Sequence, residues 1–151
     1  MHIILISESA SLSINFKNML AVRDKEIALL SIQYPDLRKR NEARRSKRLV
    51  KDTLLVGDSL TVFIHCKQIN ENVLVNDLFS SNISSSMQCL DVVQLKSEHE
   101  YNVTEIQNPL YHNLKSDCLF SLNVELRNLN GELIQFTSGG YVVLKLALKH
   151  N

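Results

Sequence analysis

The chain has little of what most active sites and most membrane segments are made from. It contains no tryptophan, only four glycines and two prolines, and three cysteines in 151 residues. So few glycines and prolines exclude a low-complexity linker and a collagen-like or proline-rich arm. No glycine-rich loop follows a strand-like run, so a nucleotide-phosphate cradle is not expected. No window approaches 18 uninterrupted apolar residues, and no membrane-spanning helix is expected. Cys66, Cys89 and Cys118 are an odd set without close spacing, which excludes a Cys-x-x-Cys zinc or redox centre. Their expected role is that of small buried hydrophobes in a reduced, intracellular protein. Met1 to Ser7 is apolar but short and has no basic leader, so it reads as a β-strand and not as a signal peptide. In that setting the acceptor patterns Asn82-Ile83-Ser84 and Asn102-Val103-Thr104 read as chance matches.

Catalytic patterns are missing as well. There is no Gly-x-Ser-x-Gly elbow, no His-Glu-x-x-His and no paired-carboxylate motif. The five histidines are scattered. His65 and Cys66 are adjacent on a strand-like run, so they point to opposite faces and cannot share a metal. His99 lies between Glu98 and Glu100 in a polar turn, where an exposed histidine is expected. Tyr111 should pack against a sheet, and His112 should hydrogen-bond at a strand start. Asp91 and Glu125 sit on strand-like runs, where solvated carboxylates are ordinary. These readings imply no enzyme, no cofactor and no metal.

What the chain does have is uneven charge. Arg38, Lys39, Arg40, Arg44, Arg45, Lys47, Arg48 and Lys51 place eight of the 17 basic residues within 14 positions, opposed only by Glu42. The remainder carries nine basic and 15 acidic residues, so a net charge of +1 hides a basic segment on a mildly acidic body. The stretch has no glycine or proline from Asp36 to Val56, and Asp36 could cap a helix, so helix and extended loop both remain open. As a helix it would carry Arg40, Arg44, Lys47, Arg48 and Lys51 as one positive stripe. Eight cations could neutralise several phosphates without reading sequence. No aromatics lie between them for base stacking. A solvated loop balancing acidic neighbours is the alternative.

The rest is β in pattern. Strands are expected at His2–Ser7, Leu12–Leu20, Glu26–Tyr34, Ser59–Cys66, Met87–Leu95, Tyr101–Ile106, Cys118–Leu126 and Tyr141–Leu148, with a further short one at Asn72–Val75 and a loop over 76–86. Glu26–Tyr34 is a longer apolar run that suits a strand buried on both faces, although pattern alone leaves a short helix open. In Cys118–Leu126, Phe120, Leu122, Val124 and Leu126 are expected inside, with Ser121, Asn123, Glu125 and Arg127 outside. Asn130-Gly131 is a strong hairpin signal and predicts that the two last strands pair. The expected fold is an all-β, antiparallel two-sheet sandwich of about eight strands, spanning 1–151 as one domain, with a basic inter-strand excursion at 36–53.

Several of these segments resemble the minor capsid (penton) proteins of Polinton/Maverick elements and adintovirus-like viruses. In that family a Tyr-His or Tyr-Val step leads into a strand, an Arg-Asp-x-x-Gly-Glu turn, a Pro-Phe, a glycine and a final Val-x-Leu strand. Here the order is Tyr111-His112, Phe120 to Arg127, Asn130-Gly131-Glu132-Leu133-Ile134-Gln135-Phe136, Ser138-Gly139-Gly140 and Val142-Val143-Leu144-Lys145-Leu146. Leu5 to Ser11, Phe16 to Leu20 and Glu26 to Pro35 are similar to the family's opening, which ends in Ala-Leu-x-x-Ile-x-Tyr-Pro. Val62 to Cys66 is similar to its Phe-Val-Tyr-Cys-Asp strand. This chain departs at His65, Lys67 and Asn128, which replace tyrosine, aspartate and the acidic turn residue. It departs also at Val75-Asn76-Asp77 and Leu146-Ala147-Leu148-Lys149.

The resemblance implies a single jelly-roll that forms homopentamers at the vertices of an icosahedral capsid, beside a major capsid protein. It implies a location in the virion and, before assembly, inside the host cell. At this length it implies a penton without an inserted outer domain. The basic residues from Arg38 to Lys51 would face genomic DNA or a neighbouring capsid protein. Two other classes compete: a nucleic-acid-binding accessory protein using that segment, and a jelly-roll receptor or carbohydrate binder, for which stacking platforms are scarce.

Overall fold

The computed structural model describes residues 1–37, 59–70, 88–96, 99–136 and 139–151. Among these residues nine strands form in chain order: β1 (His2–Ser7), β2 (Ser11–Ala21), β3 (Lys25–Pro35), β4 (Ser59–Cys66), β5 (Cys89–Lys96), β6 (Tyr101–Glu105), β7 (His112–Asn113), β8 (Cys118–Arg127) and β9 (Val142–His150). One sheet has the order β1-β9-β3-β6, with the two-residue β7 also on β3, and the other has β2-β8-β4-β5. All pairs are antiparallel. The chain alternates between the sheets at almost every step. The result is the all-β two-sheet sandwich expected from the sequence, consistent with a single jelly-roll. The expected strand at 72–75 and loop at 76–86 lie outside the described residues.

The core follows from strand alternation. Ile3 and Leu5 of β1, Ile27, Leu29, Ile32 and Tyr34 of β3, and Leu144, Leu146 and Leu148 of β9 face Val62, Ile64 and Cys66 of β4, Val93 and Leu95 of β5, and Leu122, Val124 and Leu126 of β8. β3 is buried on both faces at its start, where Ile27, Ala28 and Leu29 are all fully covered. Ala28 lies opposite Ala147, so two small side chains meet on the outer side of that sheet. Tyr34 bolts the two layers together. Its ring is buried, and its hydroxyl donates to the Lys96 carbonyl of the other sheet at 2.6 Å.

Two expectations need correction. The last two long strands do not pair, because β8 lies between β2 and β4, whereas β9 lies between β1 and β3. The Asn130-Gly131 turn closes only a single bridge, Arg127 to Leu133, supported by the Ile134 amide donating to the Leu126 carbonyl at 3.0 Å. Ile134 is then buried and Phe136 packs on the core, so the chain is drawn across the end of the sandwich into the opposite sheet.

The second correction is Phe120, which is 65% exposed, while Leu119 is buried in its place. The cause is a register slip. β2 runs from Asn15 to Leu20 while its partner moves only from Ser121 to Leu119. Such a bulge turns the neighbouring side chains to the other face.

The turn itself is built by the residues that carry the family-like motif. Gly131 takes φ +81°, a conformation that favours glycine. The buried Asn128 side-chain oxygen accepts from the Asn130 amide at 2.9 Å and the Glu132 amide at 3.0 Å. Asn128 thus supplies the turn's acceptor as a neutral amide oxygen. The Arg127 guanidinium donates to the Gly131 carbonyl at 2.6 Å and also pairs with Glu125.

Candidate interaction surfaces

Strand connectivity sorts the loops to two ends. Ser7 and Ser11, Pro35 and Ser59, Lys96 and Tyr101, and Arg127 and Val142 all lie at one end. Of the excursion expected at 36–53, Asp36 and Leu37 are described and both are buried. Arg38, Lys39, Arg40, Arg44, Arg45, Lys47, Arg48 and Lys51 lie outside the described residues. The segment they belong to is joined to the sandwich at Leu37 and Ser59, the end that also carries the 8–10 and 128–141 connections.

Among the described residues the titratable side chains do not converge on a chemical centre. Among the described residues no group of three or more His, Cys, Asp or Glu could hold a metal ion. Cys66 and Cys89 are buried free thiols, and burial pushes them up to about 11 and about 12. Cys118 is only half-buried, which corrects the expectation that all three are core residues. His65 projects outward beside Phe63, with ring centroids 6.5 Å apart, while Cys66 points inward. Burial, aided by the Arg127 charge, holds His65 below the ordinary histidine range against the opposing pull of Glu125. His99 is exposed in its turn. His112 shares a 2.8 Å hydrogen bond with the Leu90 carbonyl, as a strand-start histidine should. Tyr111 packs at the sheet end with the Lys149 ammonium 3.7 Å above its ring. Asn102 is buried and holds the His99 carbonyl through its side chain, which fits the reading of its acceptor pattern as chance.

The two outer faces differ in character. On the β2-β8-β4-β5 sheet the outward residues are mostly polar, including Ser11, Ser13, Asn15, Ser121, Asn123, Glu125 and Arg127, with Phe120 as an exposed apolar exception. On the other sheet they include Ile4 at 45%, Ile6 at 58% and Val103 at 56% exposure, with Lys145, Ser31 and Glu105 in the row of Ile4. Register puts Ile6, Val143, Gln33 and Val103 in one row across four strands. Tyr101 extends this apolar strip, its hydroxyl donating to the Tyr141 carbonyl at 2.7 Å. Beside β6 a groove of about 600 Å³ opens between the two sheets, lined by Tyr34, Gln94, Lys96, His99, Asn102 and Thr104, among others. Sequence reading found the basic segment and missed this strip, because its members are spread over some 140 positions and meet only through register.

Among described residues no helix is long and apolar enough to cross a membrane. No protein-family model matches the chain, and no curated protein does. Among solved structures the chain is similar to the selenomethionine-labelled mavirus penton protein, with a TM-score of 0.56 and 9% sequence identity, covering 100% of both chains. At that identity the likeness is one of fold, and it extends over the whole length of both molecules.

Proposed function

We propose that this chain is a structural capsid protein, a penton-like capsomer that assembles as a homopentamer at icosahedral vertices and contacts a major capsid protein. The observation that carries this reading is the end-to-end likeness in fold to a penton protein. It is supported by the Arg127 to Glu132 turn and by Ile4, Ile6, Tyr101 and Val103 standing exposed on one outer face. On this reading 1–151 is one domain, its place is the virion, and before assembly the interior of the host cell. Its function lies in surfaces and needs no catalysis or cofactor. Light scattering should give a mass near five times 17.2 kDa at high protein concentration, and negative-stain images should show fivefold rings. A protein that stays monomeric at every concentration and salt would overturn the proposal.

The charge of Arg38 to Lys51 favours a second role, contact with genomic DNA or an acidic neighbour. Replacing Arg44, Arg45, Lys47 and Arg48 by Ala should abolish DNA retention at low salt. Unchanged retention would remove this role and leave the capsomer reading intact. A receptor or carbohydrate binder ranks last, because a chain without tryptophan has few stacking platforms.

A further inference from the structure

A cyclic ring needs a heterologous contact, in which two different patches of the same chain fit each other and repeat. The sandwich has two such patches on opposite flanks. One flank is formed by the edge strands β1 and β2, the other by the edge strands β6 and β5. β1 reads His-Ile-Ile-Leu-Ile-Ser. It has no lysine, proline or bulge to guard it against association. Ile4 and Ile6 stand out from its outer face. The opposite flank presents Val103 on β6 and the groove beside it.

The two flanks also match in height and charge. Ile6 and Val103 belong to the same cross-strand row, so they sit at one level along the strand direction. A rotation about an axis parallel to the strands preserves that level and brings one copy's Ile6 to the next copy's Val103. At the same end the 8–10 connection carries exposed Glu8, and the groove rim carries exposed Lys96 and His99, with exposed Glu100 next to His99, which leaves Lys96 as the complementary charge for Glu8. Neither Glu8 nor Lys96 makes an ion pair among the described residues. We infer that the β1 edge of one copy, led by Ile4 and Ile6, packs against the Val103 edge and groove of the next, with Glu8 meeting Lys96. This rests on the capsomer reading and assigns its subunit contact.

Charge exchange tests it. Ile6→Lys and Val103→Glu should each convert rings to monomer, with at least a tenfold loss of association. Both changes in one chain should restore the ring, because every contact then pairs Lys with Glu. Ser13→Lys, on the polar outer face, should leave assembly unchanged. Both substituted side chains lie outside the core, so circular dichroism should show a retained fold.

Should a charged variant misfold, the milder pair Ile6→Cys and Val103→Cys replaces it. Within one chain these positions are three strand spacings apart, about 14 Å, beyond the reach of a disulfide. Oxidised rings should therefore give a covalent ladder up to five chains, absent from either single variant. If the wild type forms rings, and these survive Ile6→Lys alone and Val103→Glu alone, or the double-cysteine rings give no ladder, this contact is overturned and the capsomer reading is left standing. A monomeric wild type would overturn the capsomer reading itself, and the contact with it.

Discussion

Asn128 is the sharpest point at which to test how the turn holds the end of the sandwich. Its side-chain oxygen accepts two backbone hydrogen bonds, from Asn130 and Glu132, and the residue is 6% exposed. Asn128→Ala removes both. The freed donors belong to exposed residues and regain water, so each loss falls near the net value of a hydrogen bond, about 1 kcal/mol. The sum is about 1–2 kcal/mol, which for a domain of this size lowers Tm by roughly 2–8 °C. Asn128→Asp keeps an acceptor in the same place beside Arg127 and should lose less than half as much. The assay is thermal melting followed by circular dichroism at matched protein concentration, since self-association shifts Tm. An Ala variant melting within 1 °C of wild type, or an Asp variant as weak as Ala, would refute the role given to this oxygen.

Three further outcomes follow from the same geometry. Leu119→Ala and Leu122→Ala should each cost about 2–5 kcal/mol as cavity-forming changes, whereas Phe120→Ala should stay within about 0.5 kcal/mol; urea titration that ranks Phe120 above Leu119 would sink the bulge assignment. Alkylation of the native protein near pH 8, read by mass spectrometry, should modify Cys118 alone, with Cys66 and Cys89 reacting only after unfolding. Burial holds the Asp91 carboxyl above the ordinary carboxylate range, against opposing pulls from the Val92 amide and His112. A raised folded value means that stability is greatest below the unfolded value and falls as pH rises through the folded one. Asn at this position keeps the acceptor for the Val92 amide at 2.8 Å, so Asp91→Asn should stabilise at pH 7, with the gain vanishing near pH 3; an equal effect at both values would count against the assignment.

Strand positions were legible because each strand carries its own signal. Ser59 to Cys66 is dense in β-branched and aromatic residues, and β3 carries the apolar run Ile27 to Leu30, of which Ile27 to Leu29 are covered on both sides. Partner choice was not legible. Asn130-Gly131 reports that the chain turns, which is a local fact. Whether the strand after the turn returns beside its predecessor depends on Ile134 and Phe136, whose side chains enter the core and carry the chain to the other sheet. Phe120 was misplaced for a similar reason. Its neighbours alternate cleanly, but the slip that turns it outward originates in β2, more than 100 residues away. Alternation within one strand does not register a bulge imposed by its partner.

The same distinction governs the candidate surfaces. Eight cations between Arg38 and Lys51 are obvious as a string because charge needs no partner to be counted. The apolar strip is invisible as a string. Ile6 looks like one more alternating strand residue, and Val103 sits inside a chance acceptor pattern. They become one surface only when β9 and β3 place Val143 and Gln33 between them. On the capsomer reading such residues are kept on the outside, where burial within the monomer does not select them. The test of purpose is then differential: a lysine at position 6 should leave the monomer's melting almost untouched while removing assembly. An equal loss of both would mean that Ile6 serves the fold of a single chain, and the outer strip would have no remaining claim to be an interface.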